Sequence, residues 1–450
     1  MIRKKTEGRM FFMEKKVYWR AVLLLQMLWL LIPSISEAAV VSGGELSQEA
    51  FWESKASPAI VLSAGEIADF NRGIRKAVPA MVDLRSYPMV KKGKDIKTLV
   101  TASSVFPKEA YKENGELFSE KDKTLIFAEM DTAHFKNMEK VKRGVVVRHS
   151  NLRTLPLASP LVEKGDSIDF DLLQETAVDP SEPVVVLHTS RSGAFYYVQM
   201  YNYRGWILAA DVALVQADKA WKKYSNPQDF LVITDKNYTL KGGQEDVFYQ
   251  MGSRLPIKER NSSGYEVFVP RRTETGLLQE EPVLLPEDPA YRDGFLPYTR
   301  KNIVEQAFRY AGEPYGWGGL HGSVDCSSFI ANIYRSVGVF LPRNADEQEG
   351  CNAKRTALNK LEESKIYRLL QQKALPGDAL YMDGHVMLYL GEAEGIPYAI
   401  HALGSYTEDI AGNPVKQRVM QVVVSDLSLH RGNGKSFAAS LTSLVSFSGK

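Results

Sequence analysis

Asp325-Cys326-Ser327-Ser328-Phe329 and, further along, Gly384-His385-Val386-Met387-Leu388-Tyr389-Leu390-Gly391 are the stretches whose reading decides this chain. The first offers a nucleophile, and the second offers an imidazole opening an apolar run. A third polar group, His401, lies 16 residues beyond His385. A thiol attacks only when a base lies near it and a further group orients that base. Cys326, His385 and His401 supply these three roles in chain order.

Local patterning sets where each residue sits. Phe329, Ile330, Ile333, Tyr334 and Val337 recur at helical spacing, so a helix is expected over 326–337 with Cys326 at its start. A helix N-terminus carries partial positive charge and favours a thiolate. Its backbone N–H groups also suit a developing oxyanion. Residues 378–390 and 398–403 read as strands. Alternation puts His385, Met387 and Tyr389 on one face and Val386, Leu388 and Leu390 on the other. A turn between Gly391 and Pro397 lets the two strands pair and brings the imidazoles together. A helix over 299–311, stopped by Gly312, completes an α+β pattern.

Blander readings stand beside these. A lone cysteine at a helix start is often a small core residue. Cys326, His385 and His401 are also zinc-ligand types, but no close-spaced ligand pair accompanies them, so no metal and no cofactor are expected. Cys326 and Cys351 are the only cysteines in the chain. In an exported protein two cysteines can form one disulfide. Asp325 and the serines after Cys326 favour a free, reactive thiol, which leaves Cys351 unpaired.

Composition bounds the rest. The chain has 450 residues, too many for one hydrophobic core, and a net charge of +2, which gives no nucleic-acid footprint. Arg3, Lys4, Lys5, Lys15, Lys16 and Arg20 precede the apolar run Ala21 to Ile32, which is too short to span a bilayer. Ser36-Glu37-Ala38 follows with small residues where a signal peptidase cuts. Residues 1–39 therefore read as a secretory signal, with Met10 and Met13 as alternative starts, and no stable membrane anchor is expected. Residues 45–140 mix helical pieces and short apolar segments, which suits a supporting or clamping segment. Short strands with turn residues make 143–217 a small β-barrel and 228–287 a second one. Ala217 to Tyr224 is a polar connector between them. Pro286 to Gly294 is a linker into the α+β domain of 297–450.

With Pro314-Tyr315-Gly316-Trp317-Gly318-Gly319, Leu341-Pro342-Arg343, Pro376-Gly377-Asp378 and Ile400-His401-Ala402 added, the last 150 residues or so resemble the NlpC/P60 cell-wall cysteine peptidases. Arg148 to Pro156 and Tyr203-Arg-Gly-Trp206 are similar to the bacterial SH3 domains that precede this domain in some members, and 228–287 is similar to a second one. The resemblance implies a papain-like catalytic domain behind two SH3-like barrels and an N-terminal helical segment. It implies hydrolysis of the γ-D-glutamyl to diamino-acid bond of peptidoglycan stem peptides, favouring fragments with a free N-terminal L-Ala, by a secreted or periplasmic monomer. It implies that Cys326 is the nucleophile, His385 the base and His401 its orienting partner. Asp325 would bind the substrate amine, Ser327 would assist, and Tyr315 would line the site. A residue of the first barrel would close it, with Tyr197, Tyr201 and Tyr203 as candidates. Arg343 reads equally as a surface charge and is left outside the site. Two other functions keep the same residues: a peptidoglycan-binding SH3 protein with weak or no hydrolase activity, and a papain-like acyltransferase passing the acyl group to an amine.

Overall fold

The computed structural model describes residues 43–448, so the expected signal segment lies outside the described residues. Among those described, no helix is long and apolar enough to cross a membrane.

The N-terminal segment packs in two directions. Its helix Ala64–Ala77 starts with a capping box between Ser63 and Glu66 and buries Phe70 and Ile74 against the C-terminal domain. Asn71 Nδ2 donates to the Gly338 carbonyl at 2.9 Å, and Asn71 Oδ1 accepts from the Phe340 N–H at 2.9 Å. The helix Gly93–Ser103 lies instead on the first β-unit. There the Tyr197 hydroxyl donates to the Leu99 carbonyl at 3.0 Å and Trp206 Nε1 donates to Ser104 Oγ at 2.9 Å.

The first β-unit is a seven-stranded antiparallel sheet. It runs Val212–Val215, Lys142–Val146, Pro183–Thr189, Phe195–Gln199, Arg204–Leu208, Ser150–Arg153 and Gln174–Val178. The stretch after it is more than a polar connector. It forms the helix Asp218–Ser225, whose Trp221 and Tyr224 are buried in the same core as Trp206. Aromatic area outweighs the lysines beside it, of which Lys223 pairs with Glu280 at 2.7 Å and lies over the Phe268 ring. The second β-unit has a five-stranded sheet, in which Tyr291–Asp293 is the edge strand beside Phe230–Ile233. The Pro/Gly linker expected over Pro286 to Gly294 is therefore partly a strand of this sheet.

The C-terminal domain contains helix α1 (Arg300–Phe308) and helix α2 (Cys326–Ser336). Its six-stranded sheet comprises β1 (Lys354–Ala357), β2 (Ala379–Met382), β3 (His385–Ala393), β4 (Ile396–Ile410), β5 (Asn413–Asp426) and β6 (Leu441–Ser446), in the order β1-β6-β2-β3-β4-β5. The strand character expected over 378–390 is divided between two strands, folded at Asp383-Gly384. α2 lays Phe329, Ile330, Ile333, Tyr334 and Val337 against Val386, Leu388, Leu390, Ile400 and Ala402. Each such fully buried side chain stabilises by about 1.5–3 kcal/mol, and together they fix α2 on the sheet.

Arg335, near the end of α2, ties this domain to both β-units. Its guanidinium pairs with Asp179 at 2.6 Å and Glu182 at 3.3 Å, and donates to the Met251 carbonyl at 2.8 Å. All three charged side chains are buried. Removing one partner of such a group strands charge in a low-dielectric interior. Arg335→Met is therefore expected to lower stability by about 3–5 kcal/mol in denaturant titration. An unchanged midpoint would mean that the domains hold together without this pair.

Candidate active site

Cys326 is the first residue of α2, half-buried, and its thiol is free. Cys351 is also a free thiol and is buried. Asp325 caps the helix by accepting from the Ser328 N–H at 2.8 Å, while Ser328 Oγ accepts from the Asp325 N–H at 2.9 Å. The Tyr-x-Trp-Gly-Gly loop before it is where the first β-unit docks. Gly318 and Gly319 have φ of 57° and 81°. A Cβ at either would stand 2.6 Å from Gln174 Cγ or Ala177 Cβ respectively. Only glycine permits both this backbone and this approach.

Arg343 is not the surface charge it reads as in sequence. It is buried, and its guanidinium donates to Asp325 Oδ2 at 2.5 Å, Ser327 Oγ at 2.7 Å and Thr176 Oγ1 at 2.7 Å. Although burial works the other way, this guanidinium holds the Asp325 carboxyl below its ordinary range. Asp325 also accepts from the Gly318 N–H at 3.1 Å. Both carboxylate oxygens are thus occupied from within the chain, and Ser327 is buried with them. Asp325, expected to bind a substrate amine, and Ser327, expected to assist, are thus both buried and bonded to Arg343. Gln348, also absent from the sequence reading, donates to the Ser327 carbonyl at 3.0 Å and the Pro342 carbonyl at 2.9 Å, fixing the Arg343 loop on α2.

His385 opens β3 and His401 lies on the neighbouring β4. Their pairing runs through Leu388 with Ile400 and Tyr389 with Ala399, closed by Glu394-Gly395. His385 Nε2 and His401 Nδ1 are 2.7 Å apart, and His401 Nε2 is 3.0 Å from Ser425 Oγ on β5. Ser425 is fully buried. No local motif marks it; the β4–β5 register puts it within reach of His401. With Nε2 engaged, the nitrogen of His385 left for a thiol is Nδ1. A lone pair there requires Nε2–H to donate to His401 Nδ1, and His401 Nε2–H to donate to Ser425.

The thiol lies against the backbone N–H groups of Val386 and Ser327, which favour its anion. Burial, and then the Asp325 charge, outweigh them and push it up to about 12. The thiolate expected from the helix start alone is overridden by desolvation. Burial, and then the Arg431 charge, bring His385 down to about 4. Both shifts favour a neutral thiol beside a neutral imidazole at rest. Cys326 and His385 line one cleft of about 590 Å³ together with Tyr315, Phe437 and Arg431. Burial and the neighbouring Cys326 raise the Tyr315 hydroxyl well above its usual range, so it stays a proton donor. Of the candidate tyrosines on the first β-unit, Tyr197 is bonded to Leu99 and Tyr201 packs on Phe340. Only Tyr203 is close enough to Arg343 to feel its charge, and its hydroxyl donates to Glu175.

Residues 312–424 match the NlpC/P60 family, and residues 158–208 match an SH3 domain of the SH3b1 type. The chain thus carries an NlpC/P60 domain of papain-like α+β fold behind an SH3b-type domain. It is 33% identical over 94 residues to a "Dipeptidyl-peptidase 6" of Lysinibacillus sphaericus, which is 21% of this chain and 30% of that one. It is 25% identical over 130 residues to a "Bifunctional muramidase/DL-endopeptidase CwlT" of Bacillus subtilis (strain 168), 23% of this chain and 35% of that one. A "Gamma-D-glutamyl-L-lysine dipeptidyl-peptidase" of the same organism is 37% identical over 51 residues, 11% of this chain and 17% of that one. The chain thus spans about a third or less of the length of these relatives. In fold it is similar to an NlpC/P60 endopeptidase from Photobacterium damselae subsp. piscicida, with TM-score 0.72 and 16% identity over 89% of this chain and 97% of that one.

The depressed His385 makes a pH prediction. If His385 serves as the expected base, its working form is the neutral ring, and activity is lost as pH falls through its folded-state value. That value lies near 4 rather than the ordinary 6.5. The acid limb of kcat/KM is expected close to pH 4. A limb near 6.5, or thiolate absorbance at neutral pH, would mean that the resting pair is charged.

Proposed function

We propose that this chain is a cysteine endopeptidase of the cell envelope that hydrolyses the γ-D-glutamyl to diamino-acid bond of peptidoglycan stem peptides. The observation that carries the reading is the run from the Cys326 thiol past His385 to His401 and Ser425, opening on a single cleft. The sulfur attacks the γ-carbonyl carbon as its proton passes to His385 Nδ1. The Cys326 N–H, one of the first helix donors without an intrahelical acceptor, and the Tyr315 hydroxyl stabilise the oxyanion. The C–N bond breaks as His385 returns the proton to the leaving amine. Water, deprotonated by His385, then cleaves the thioester, and the thiol regains its proton. His401 and Ser425 hold the ring in the tautomer this needs. The chemistry asks for no cofactor.

The free N-terminal L-Ala preference is kept, with a different reader. Glu175, held by Tyr203 and by Thr154 Oγ1 at 2.6 Å, supplies the carboxylate for the ammonium, and Tyr203 closes the site from the first barrel. The 228–293 unit is proposed as a second SH3-like domain, and residues 45–140 as the clamp on both neighbours. The expected secretory signal fits an envelope substrate.

Activity on L-Ala-γ-D-Glu-diamino-acid tripeptide, read by mass, tests these assignments. Cys326→Ala is expected to abolish cleavage, and Cys351→Ala to leave it nearly unchanged. His385→Ala should cost on the order of a hundredfold or more in kcat, and His401→Ala less. Glu175→Gln should slow the free-amine peptide more than its N-acetylated counterpart, whereas Asp325→Asn should slow both alike. If instead Asp325→Asn is the selective change, the amine sits at Asp325 and the role given to Glu175 is wrong.

A further inference from the structure

The cleft holds more than the nucleophile and base. Beyond His385 it is walled by an arm of the sheet and by the loop before β6. β4 pairs with β3 only as far as Ile400, while β4 and β5 continue together out to Ile410 and Asn413. Thr407 on this arm faces Lys416 across the hairpin and bridges to His430 on its other side, with Thr407 N–H donating to the His430 carbonyl at 2.8 Å. Lys416 and the next loop residue, Arg431, therefore flank one wall, and both line the cleft. The cleft lining includes no aspartate or glutamate. Among the described residues neither Lys416 nor Arg431 forms an ion pair. Arg418, two residues on, is instead placed over the Phe170 ring.

The chemistry of the proposed reaction assigns a side to this wall. The base must protonate the departing amine, so the leaving group lies on the His385 side of Cys326. Arg431 is close enough for its charge to be felt at His385. The two unpaired cations thus meet the diamino acid that leaves, not the glutamyl part that is acylated.

We propose, resting on the endopeptidase reading, that Lys416 and Arg431 form a carboxylate subsite that selects a leaving diamino acid whose side chain ends in a carboxylate, of the diaminopimelate type, over a lysine. Attraction and repulsion act together here. The distal carboxylate gains a charge-assisted hydrogen bond, best from the planar fork of Arg431. A lysine side chain brings an unaccompanied ammonium into a cleft that already holds two cations.

Three tripeptides of the form L-Ala-γ-D-Glu-X test this: X is diaminopimelate, the same residue with its distal carboxylate amidated, or lysine. The intact diaminopimelate peptide is expected to exceed the other two by about ten- to a hundredfold in kcat/KM. Arg431→Gln should bring that ratio close to one, chiefly through KM, and Lys416→Gln should lower it partway. Thermal melts confirm that each variant is folded. Equal cleavage of all three peptides by the unaltered protein would overturn the subsite while leaving the endopeptidase reading intact. So would a loss confined to a fourth peptide, the diaminopimelate tripeptide amidated at its terminal α-carboxyl, with the distally amidated one cleaved normally. Cleavage of none would overturn the endopeptidase reading and the subsite with it.

Discussion

The Asp325–Arg343 pair is the interaction around which the site is arranged. Asp325 caps the helix that presents the thiol, and Arg343 fixes that cap from the loop that follows the same helix. Through Thr176 the guanidinium also reaches the first β-unit, and through Ser327 it reaches the residue after the nucleophile. One buried guanidinium therefore ties nucleophile, helix start and neighbouring domain together. Burying these charges is tolerable because their hydrogen-bonding positions are met from within the chain. Such a pair contributes geometry more than stability.

A second buried guanidinium repeats the arrangement at the other end of α2. Arg335 meets carboxylates of the first β-unit and a carbonyl of the second, so one helix carries the thiol at its start and an interdomain anchor at its end. The two ends of α2 thus fix where the β-units lie relative to the thiol. Gly318 and Gly319 permit the close approach on the thiol side. Tyr203 and Glu175, proposed for the acyl side of the site, are positioned by this docking and not by the six-stranded sheet.

The placement of the candidate site was legible in the sequence, and the packing around it less so. Cys326, His385 and His401 stood out because helix start, strand alternation and pairing are local patterns. Ser425 did not, since it meets His401 only through the β4–β5 register. Arg343 was misread because its burial depends on Asp325 and Thr176, one of them in another domain, and no local pattern signals a partner so distant. Trp221 and Tyr224 were hidden the same way, inside a stretch that looks polar by composition. The thiol's protonation was also beyond reach: the helix start argued for a thiolate, and burial together with the Asp325 charge opposes that.

The central claim is that Cys326 attacks the γ-carbonyl of a stem peptide and that water resolves the thioester. It is tested most directly by cleaving L-Ala-γ-D-Glu-diaminopimelate in water enriched in heavy oxygen and locating the label by tandem mass spectrometry. The account predicts one heavy oxygen in the γ-carboxylate of the L-Ala-D-Glu product, with none in the released diamino acid. Label at another carboxylate, or transfer of the dipeptide to an added amine in place of water, would contradict it.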